Sequence, residues 1–157
     1  MSASMHAAAT VRHATPADVR DIERLLRASE LPTDGVREMI GTAPHEFVVA
    51  VHESDIVGVA GLEVCCDDAL LRSVAVDAQW RSAGVGRQLV QSLVSDAESR
   101  GIRAMYLLTM TAEHYFPKFQ FERIDRTEVP EAIANTGEFK SVCPSTAVAM
   151  RRVCATH

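Results

Sequence analysis

The run Arg81-Ser82-Ala83-Gly84-Val85-Gly86 contains the residue types that receive a phosphate. Neither glycine carries a Cβ, so the backbone bends there and approaches an anion closely. The run follows the apolar stretch Leu70-Leu71-Arg72-Ser73-Val74-Ala75-Val76, and after it Leu89, Val90, Leu93, Val94 and Ala97 recur at helical spacing. A helix starting there aims its first N–H groups and its positive dipole end at the anion. Arg81 and Arg87 add charged donors. A dinucleotide fold fits less well, because Gly84-x-Gly86-x-x-Leu89 lacks the third small residue, and no Gly-Lys-Ser/Thr follows to make a Walker loop. Arg72 is the second residue with chemical potential. A charge in an otherwise apolar strand needs a partner or a ligand. The alternatives are an anionic group on a substrate, or an ion pair with Asp67, Glu63 or Glu128.

Those residues need a scaffold. Thr10 to His13 reads as a short edge strand, and Thr15-Pro16-Ala17-Asp18 as a helix entry, with Thr15 as N-cap and Pro16 in the first turn. Val19, Ile22, Leu25 and Leu26 give the helix its apolar face, and Leu31-Pro32-Thr33-Asp34-Gly35 breaks it before a short helix over Val36 to Ile40. Phe47 to Val51, Ile56 to Val64 and Ala69 to Val76 are three strands joined by short turns, an antiparallel meander. The long helix after the glycine turn stops at Gly101, a left-handed terminator. Met105 to Leu108 is an apolar strand and Thr111 to Phe119 a helical segment. Phe121 to Asp125 and Thr146 to Met150 are closing strands, with a helical turn over Val129 to Ile133 between them. Met1 to Ala9 read as a flexible tail and 10–154 as one domain.

The 157 residues are 47% hydrophobic and 24% charged, ordinary for a globular protein. A net charge of −5 argues against a nucleic-acid partner. No stretch has the length and apolarity of a membrane span, and the N-terminus has neither the basic nor the apolar region of a secretion signal, which points to a cytoplasmic protein. The spacing of Cys65, Cys66, Cys143 and Cys154 matches no zinc pattern. Free thiols are the plain reading, with a soft-metal or arsenic contact by Cys65, Cys66 or Cys143 as the sharper one. Neighbours in a strand point to opposite faces, which is poor chelating geometry.

With these elements in place, the chain resembles the GNAT family of acetyl-CoA-dependent N-acetyltransferases over nearly its whole length. Arg81-x-x-Gly84-x-Gly86 is similar to the family's Arg/Gln-x-x-Gly-x-Gly/Ala motif, Thr10 to Asp18 to its first strand and helix entry, and Tyr115-Phe116-Pro117-Lys118-Phe119-Gln120-Phe121 to its Phe-Tyr-x-x-x-Gly-Phe segment. Ala60-Gly61-Leu62-Glu63-Val64 with Leu70-Leu71-Arg72-Ser73-Val74, and Glu138-Phe139-Lys140-Ser141-Val142-Cys143-Pro144, resemble the arsenic-resistance N-acetyltransferases within it. The resemblance implies an α/β (α+β) fold: a mixed, mostly antiparallel sheet splayed around an acetyl-CoA groove, with helices on both faces. It implies that Val74, Ala75 and Val76 run beside the pantetheine arm, the Val74 N–H facing the thioester carbonyl. Arg81, Ser82, Ala83, Gly84, Val85, Gly86 and Arg87 would hold the pyrophosphate, with Thr109 and Phe116 as further cofactor contacts. Arg72 and Ser73 would meet the acceptor, a small-molecule amine; the resemblance leaves room for a homodimer and implies no metal.

Acetyl transfer to an amine calls for a base and for a proton to the leaving thiolate. Glu63 is the first candidate base, against the alternative of a solvent-facing strand carboxylate; Asp67, Asp68 and Glu113 are weaker. The family's acid tyrosine falls on Phe116, with Tyr115 one residue earlier and about 100° away if helical. Either Tyr115 (or His114) turns inward or Tyr115 and Phe116 are a core aromatic pair with no dedicated acid. Pro117 kinks the segment, and Gln120 stands where a glycine normally ends it, at a cost of about 1 kcal/mol if left-handed. Lys118, Arg123 and Arg126 read as solvated charges. The implied reaction is acetylation of an amino-acid-like toxic or arsenic-containing compound; the alternatives are acetylation of a protein N-terminus or lysine, and a catalytically weak acyl-CoA-binding or arsenical-sensing module.

Overall fold

The computed structural model describes residues 9–43, 46–81, 83–110, 114–141 and 147–154, without the side chains of Glu138 and Ser141. Its strands are β1 (Thr10–His13), β2 (Phe47–His52), β3 (Asp55–Cys65), β4 (Asp68–Val76), β5 (Ala104–Thr109), β6 (Glu122–Ile124) and β7 (Val148–Val153). They form a mixed sheet in the order β1-β2-β3-β4-β5-β7-β6. Pairing is antiparallel for β1–β2, β2–β3, β5–β7 and β6–β7 and parallel for β4–β5, as expected for a mostly antiparallel sheet. The chain divides into two compact units: Met1–Gly61 with Ser73–Leu93, and Leu62–Arg72 with Val94–His157.

In the first unit α1 (Val19–Ala28) and α2 (Val36–Thr42) cover one face of β2 and β3. Ile22, Leu25, Leu26, Val36 and Ile40 form a core with Phe47, Val49, Ile56 and Val59. The entry to α1 is a 3₁₀ turn, Pro16–Asp18, in which the Asp18 carboxylate accepts the Thr15 N–H at 2.8 Å and the Asp18 N–H bonds the Thr15 carbonyl at 2.9 Å. Arg12 of β1 donates to the same carboxylate at 2.8 and 3.2 Å. That guanidinium, above all, holds Asp18 below the usual carboxylate range. The other face of β3 receives α3 (Val85–Ser99). A Cβ on Gly58 would lie 2.8 Å from both Leu89 Cδ1 and Val85 Cγ1, so the missing side chain is what lets this helix seat on the strand. Gly61 likewise leaves room for the Phe47 ring, which a Cβ would approach to 2.5 Å.

In the second unit α4 (Glu131–Ala134) and α5 (Gly137–Ser141) cover one strand face, where Ile133 and Phe139 pack with Leu70, Ala104 and Tyr106. Buried Asp68 accepts from Arg103 at 2.8 and 3.3 Å. The Arg152 Nη2 on β7 donates to Glu98 at the end of α3, 3.1 Å away. Gly101 ends α3 with φ 77, as expected.

Several boundaries differ from the sequence expectation. Residues 111–113 lie outside the description, and the rest of the expected segment is a single 3₁₀ turn, Phe116–Phe119, because Pro117 cannot donate to an α-helical ladder. The closing strands are β6 over Glu122–Ile124 and β7 over Val148–Val153, shifted from 121–125 and 146–150. The expected turn at 129–133 is two short helices, α4 and α5, separated at Asn135 and Thr136. Residues 1–8 of the expected tail, together with Ser82, Glu113, Cys143 and Thr146, lie outside the described residues, whereas Ala9 is buried. No helix among the described residues is long and apolar enough to cross a membrane.

Candidate functional site

In the first unit β4 ends at Val76, and Asp77 begins a 3₁₀ turn over Ala78–Trp80 by accepting the Gln79 N–H at 2.9 Å. The Asp77 N–H bonds the Val57 carbonyl at 2.8 Å, which fixes the end of β4 to β3. Gly84 then takes φ 81, and a Cβ there would meet nothing within 4 Å, so the left-handed backbone and not crowding requires the glycine. The first i→i−4 bond of the new helix runs from Gln88 N–H to the Gly84 carbonyl at 3.1 Å, so the amides of Val85, Gly86 and Arg87 precede the ladder. Arg81 is exposed, and its Nε donates to the Val76 carbonyl at 3.2 Å, orienting the guanidinium fork from the strand end. Arg87 is also exposed, Val85 is buried and Ala83 is exposed. The expected strand–turn–helix is therefore present, and the amides ahead of the ladder, the dipole end and two exposed arginines are groups chemically suited to an anion.

One feature of β4 had little signal in the sequence. Ser73 has φ 59, a left-handed residue inside a strand. Such a residue bends the strand and takes its neighbours out of regular pairing. Val74, Ala75 and Val76 follow it in β4, Val74 and Val76 half-buried and Ala75 buried.

In the second unit the Arg72 side chain is 4% exposed and its Nη1 donates to Glu63 Oε1 at 3.1 Å. This brings together two of the candidate residues, and it is the ion-pair alternative considered for Arg72. The Glu63 side chain is 28% exposed, so the carboxylate keeps access to solvent. Tyr115 is half-buried and packs edge-on against Phe116 and Phe119, each at 5.3 Å between ring centroids, with Lys118 Nζ 4.7 Å above its ring. Phe116 is buried against Phe121 at 5.9 Å. The two rings are thus an aromatic cluster. Gln120 does adopt the left-handed conformation, φ 69. Thr109 ends β5 opposite Val148. Lys118 and Arg123 are exposed as expected, whereas Arg126 is half-buried with its guanidinium over the Phe139 ring.

Cys65, Cys66 and Cys154 are free thiols. Burial, followed by Glu63, pushes the Cys65 thiol up from its ordinary range, and burial does the same to Cys154. No group of three or more His, Cys, Asp or Glu among the described residues is placed to hold a metal.

Residues 43–123 match the family model for the acetyltransferase (GNAT) domain, so the chain belongs to the GNAT acetyltransferases. An amino-acid acetyltransferase of Mycobacterium tuberculosis is 27% identical over 83% of this chain and 82% of its own length. Another, from Aeromonas salmonicida, is 28% identical over 76% of this chain but only 28% of its own length, so the chain spans less than a third of that relative. Among solved structures, a Mycobacterium tuberculosis protein in complex with CoA superposes with a TM-score of 0.77 at 24% identity, covering 93% of this chain and 99% of that one. N-acetylglutamate synthase from Neisseria gonorrhoeae, complexed with coenzyme A and L-arginine, gives 0.78 at 22% identity over 94% of this chain and 33% of that one. These likenesses show the GNAT fold.

Proposed function

We propose that this protein transfers the acetyl group of acetyl-CoA to the amine of a small, amino-acid-like acceptor. The observation that carries the reading is the cradle in the first unit, where the left-handed Gly84, the amides of Val85, Gly86 and Arg87, and the strand-anchored Arg81 suit a pyrophosphate. Ala83 belongs to the same turn, and the sequence motif adds Ser82 to the set. Acetyl-CoA supplies an activated thioester when bound. The chain's own groups then have separate tasks. Val74, Ala75 and Val76 present backbone to the pantetheine arm, and the Val74 N–H takes up charge on the carbonyl oxygen. Glu63 accepts a proton from the acceptor amine, directly or through water, and Arg72 orients that carboxylate by a hydrogen bond. Tyr115 is assigned the proton to the leaving sulfur, with Thr109 and Phe116 as lining contacts. Arg72 and Ser73 mark the acceptor side of β4.

The amino-acid class of acceptor is supported by the relatives named amino-acid acetyltransferases. The narrower resemblance to arsenic-resistance N-acetyltransferases puts arsenic-containing amino acids on the same panel, and we place the activity in the cytoplasm. One observation favours a second reading, an acyl-CoA-binding module with weak catalysis: the position of the family's acid tyrosine is Phe116, buried in the ring cluster. Titration calorimetry with CoA tests the cradle. Arg81→Ala should weaken binding about tenfold, the value of one charge-assisted contact; unchanged affinity would remove Arg81 from the site.

A further inference from the structure

We infer that Trp80 is a positioning residue for the co-substrate: its ring, seated on His52, holds the turn that offers Arg81 and the amides after it to the pyrophosphate. This role deepens the acetyl-CoA reading of the turn and rests on it. In the first unit the chain leaves β4 at Val76 and enters α3 at Val85 through the 3₁₀ turn Ala78–Trp80 and a short loop. Ala78, Gln79, Arg81, Ala83 and Gly84 are exposed, and among the described residues from 78 to 84 Trp80 alone is not. Packing of this segment on the sheet is thus concentrated in one side chain. The Trp80 ring lies against the ring of His52 at the end of β2, with centroids 4.8 Å apart and planes tilted by 49°.

The Trp80 backbone carries that anchor into the turn. Its N–H donates to the Asp77 carbonyl at 2.8 Å, and its carbonyl accepts the Ala83 N–H at 3.1 Å. The first bond closes the 3₁₀ turn on Asp77, whose own N–H is held by Val57 of β3. The second fixes the residue just before the left-handed Gly84. Arg81 follows Trp80 directly, with φ −65 and ψ −25, and its Nε reaches the Val76 carbonyl at 3.2 Å. A displaced Trp80 would therefore shift the start of the guanidinium side chain and the approach to the helix amides together. A loop that must be ordered on binding loses affinity to that ordering, and one ordered beforehand does not. An aromatic pair adds attraction beyond the area it buries, so the ring on His52 is a means of ordering the turn in advance. The seat of α3 on β3 is separate, because Val85 and Leu89 make it against Gly58.

Titration calorimetry with CoA, beside a melting curve, compares wild type with Trp80→Ala, Trp80→Phe and His52→Ala. Trp80→Ala should raise Kd about threefold to tenfold, the worth of an aromatic pair. Trp80→Phe should stay within about twofold, because a ring remains on His52. His52→Ala should act like Trp80→Ala. Trp80 is the chain's single tryptophan, so a shift in its emission shows in that variant that the ring has lost its seat. A purely structural role would lower Tm and leave Kd of the folded protein where it was. An unchanged Kd in Trp80→Ala, or equal weakening by Trp80→Phe, overturns the positioning role while the acetyl-CoA reading stands. If Trp80→Ala loses its thermal transition, His52→Ala decides, and an unchanged Kd there overturns the role. If wild type does not bind CoA, the acetyl-CoA reading fails and the role of Trp80 falls with it.

Discussion

Arg72 and Glu63 show how a single residue type carries two readings until its partner is seen. A nearly inaccessible guanidinium at 4% exposure needs a carboxylate, and Glu63 provides it while staying 28% open itself. Replacing Glu63 with Gln keeps a hydrogen-bond acceptor for Arg72, so stability should fall by only about 1–3 kcal/mol. kcat/KM should drop at least a hundredfold if the carboxylate takes the amine's proton. Steady-state kinetics beside a melting curve separates the two, and an unchanged kcat/KM would leave Glu63 with a structural role alone. Gln120 makes a cleaner case. Its φ of 69 carries the Cβ penalty of a left-handed residue, so Gln120→Gly should raise stability by about 1 kcal/mol and Tm by roughly 2–4 °C. Calorimetry showing a lower Tm would mean that the side chain contributes more than its strain costs.

At the scale of elements, α3 seats directly on β3. Gly58→Ala would push a methyl to 2.8 Å from Val85 Cγ1 and Leu89 Cδ1, and Val85 is a stiff, buried residue in the first turn of that helix. The expected loss is about 1–3 kcal/mol together with weaker CoA binding, read by calorimetry; full stability and full affinity would show that the helix can ride outward freely. The entry to α1 sets an acid limit. Arg12 lowers the Asp18 carboxyl below its unfolded value, so this pair contributes stability that is fully present above about pH 4 and is lost as pH falls through the folded value. Asp18→Asn should lower Tm at pH 7 and flatten the fall of Tm between pH 5 and 3, an effect absent if the pair carries no free energy. These elements were readable in advance because they rest on local signals: Pro16 and Thr15 at the entry, Gly101 at a helix end, and two glycines after an apolar strand. The left-handed Ser73 and the α4–α5 cover were not. Nothing local marks a left-handed serine in a strand, and helices of four and five residues are made by packing Ile133 and Phe139 on a core and not by periodicity. Pro117, read in the sequence as a kink, lies in the Phe116–Phe119 3₁₀ turn.

For the molecule as a whole, an overall charge of −5 coexists with exposed Arg81 and Arg87 after β4, so the net sign says little about a small anionic co-substrate. The family was legible from the order of elements and the Arg81 motif, and the match over residues 43–123 bears it out. The acceptor was less legible, because no sequence pattern announces that Arg72 is held by Glu63. Its claim to be a transferase meets its most direct test in one assay, release of the CoA thiol from acetyl-CoA in the presence of a panel of amines that includes amino acids, phosphinothricin and arsenic-containing amino acids. Amine-dependent thiol release with an amino-acid-like acceptor is the predicted result. Tight acetyl-CoA binding with no thiol release for any amine would contradict it.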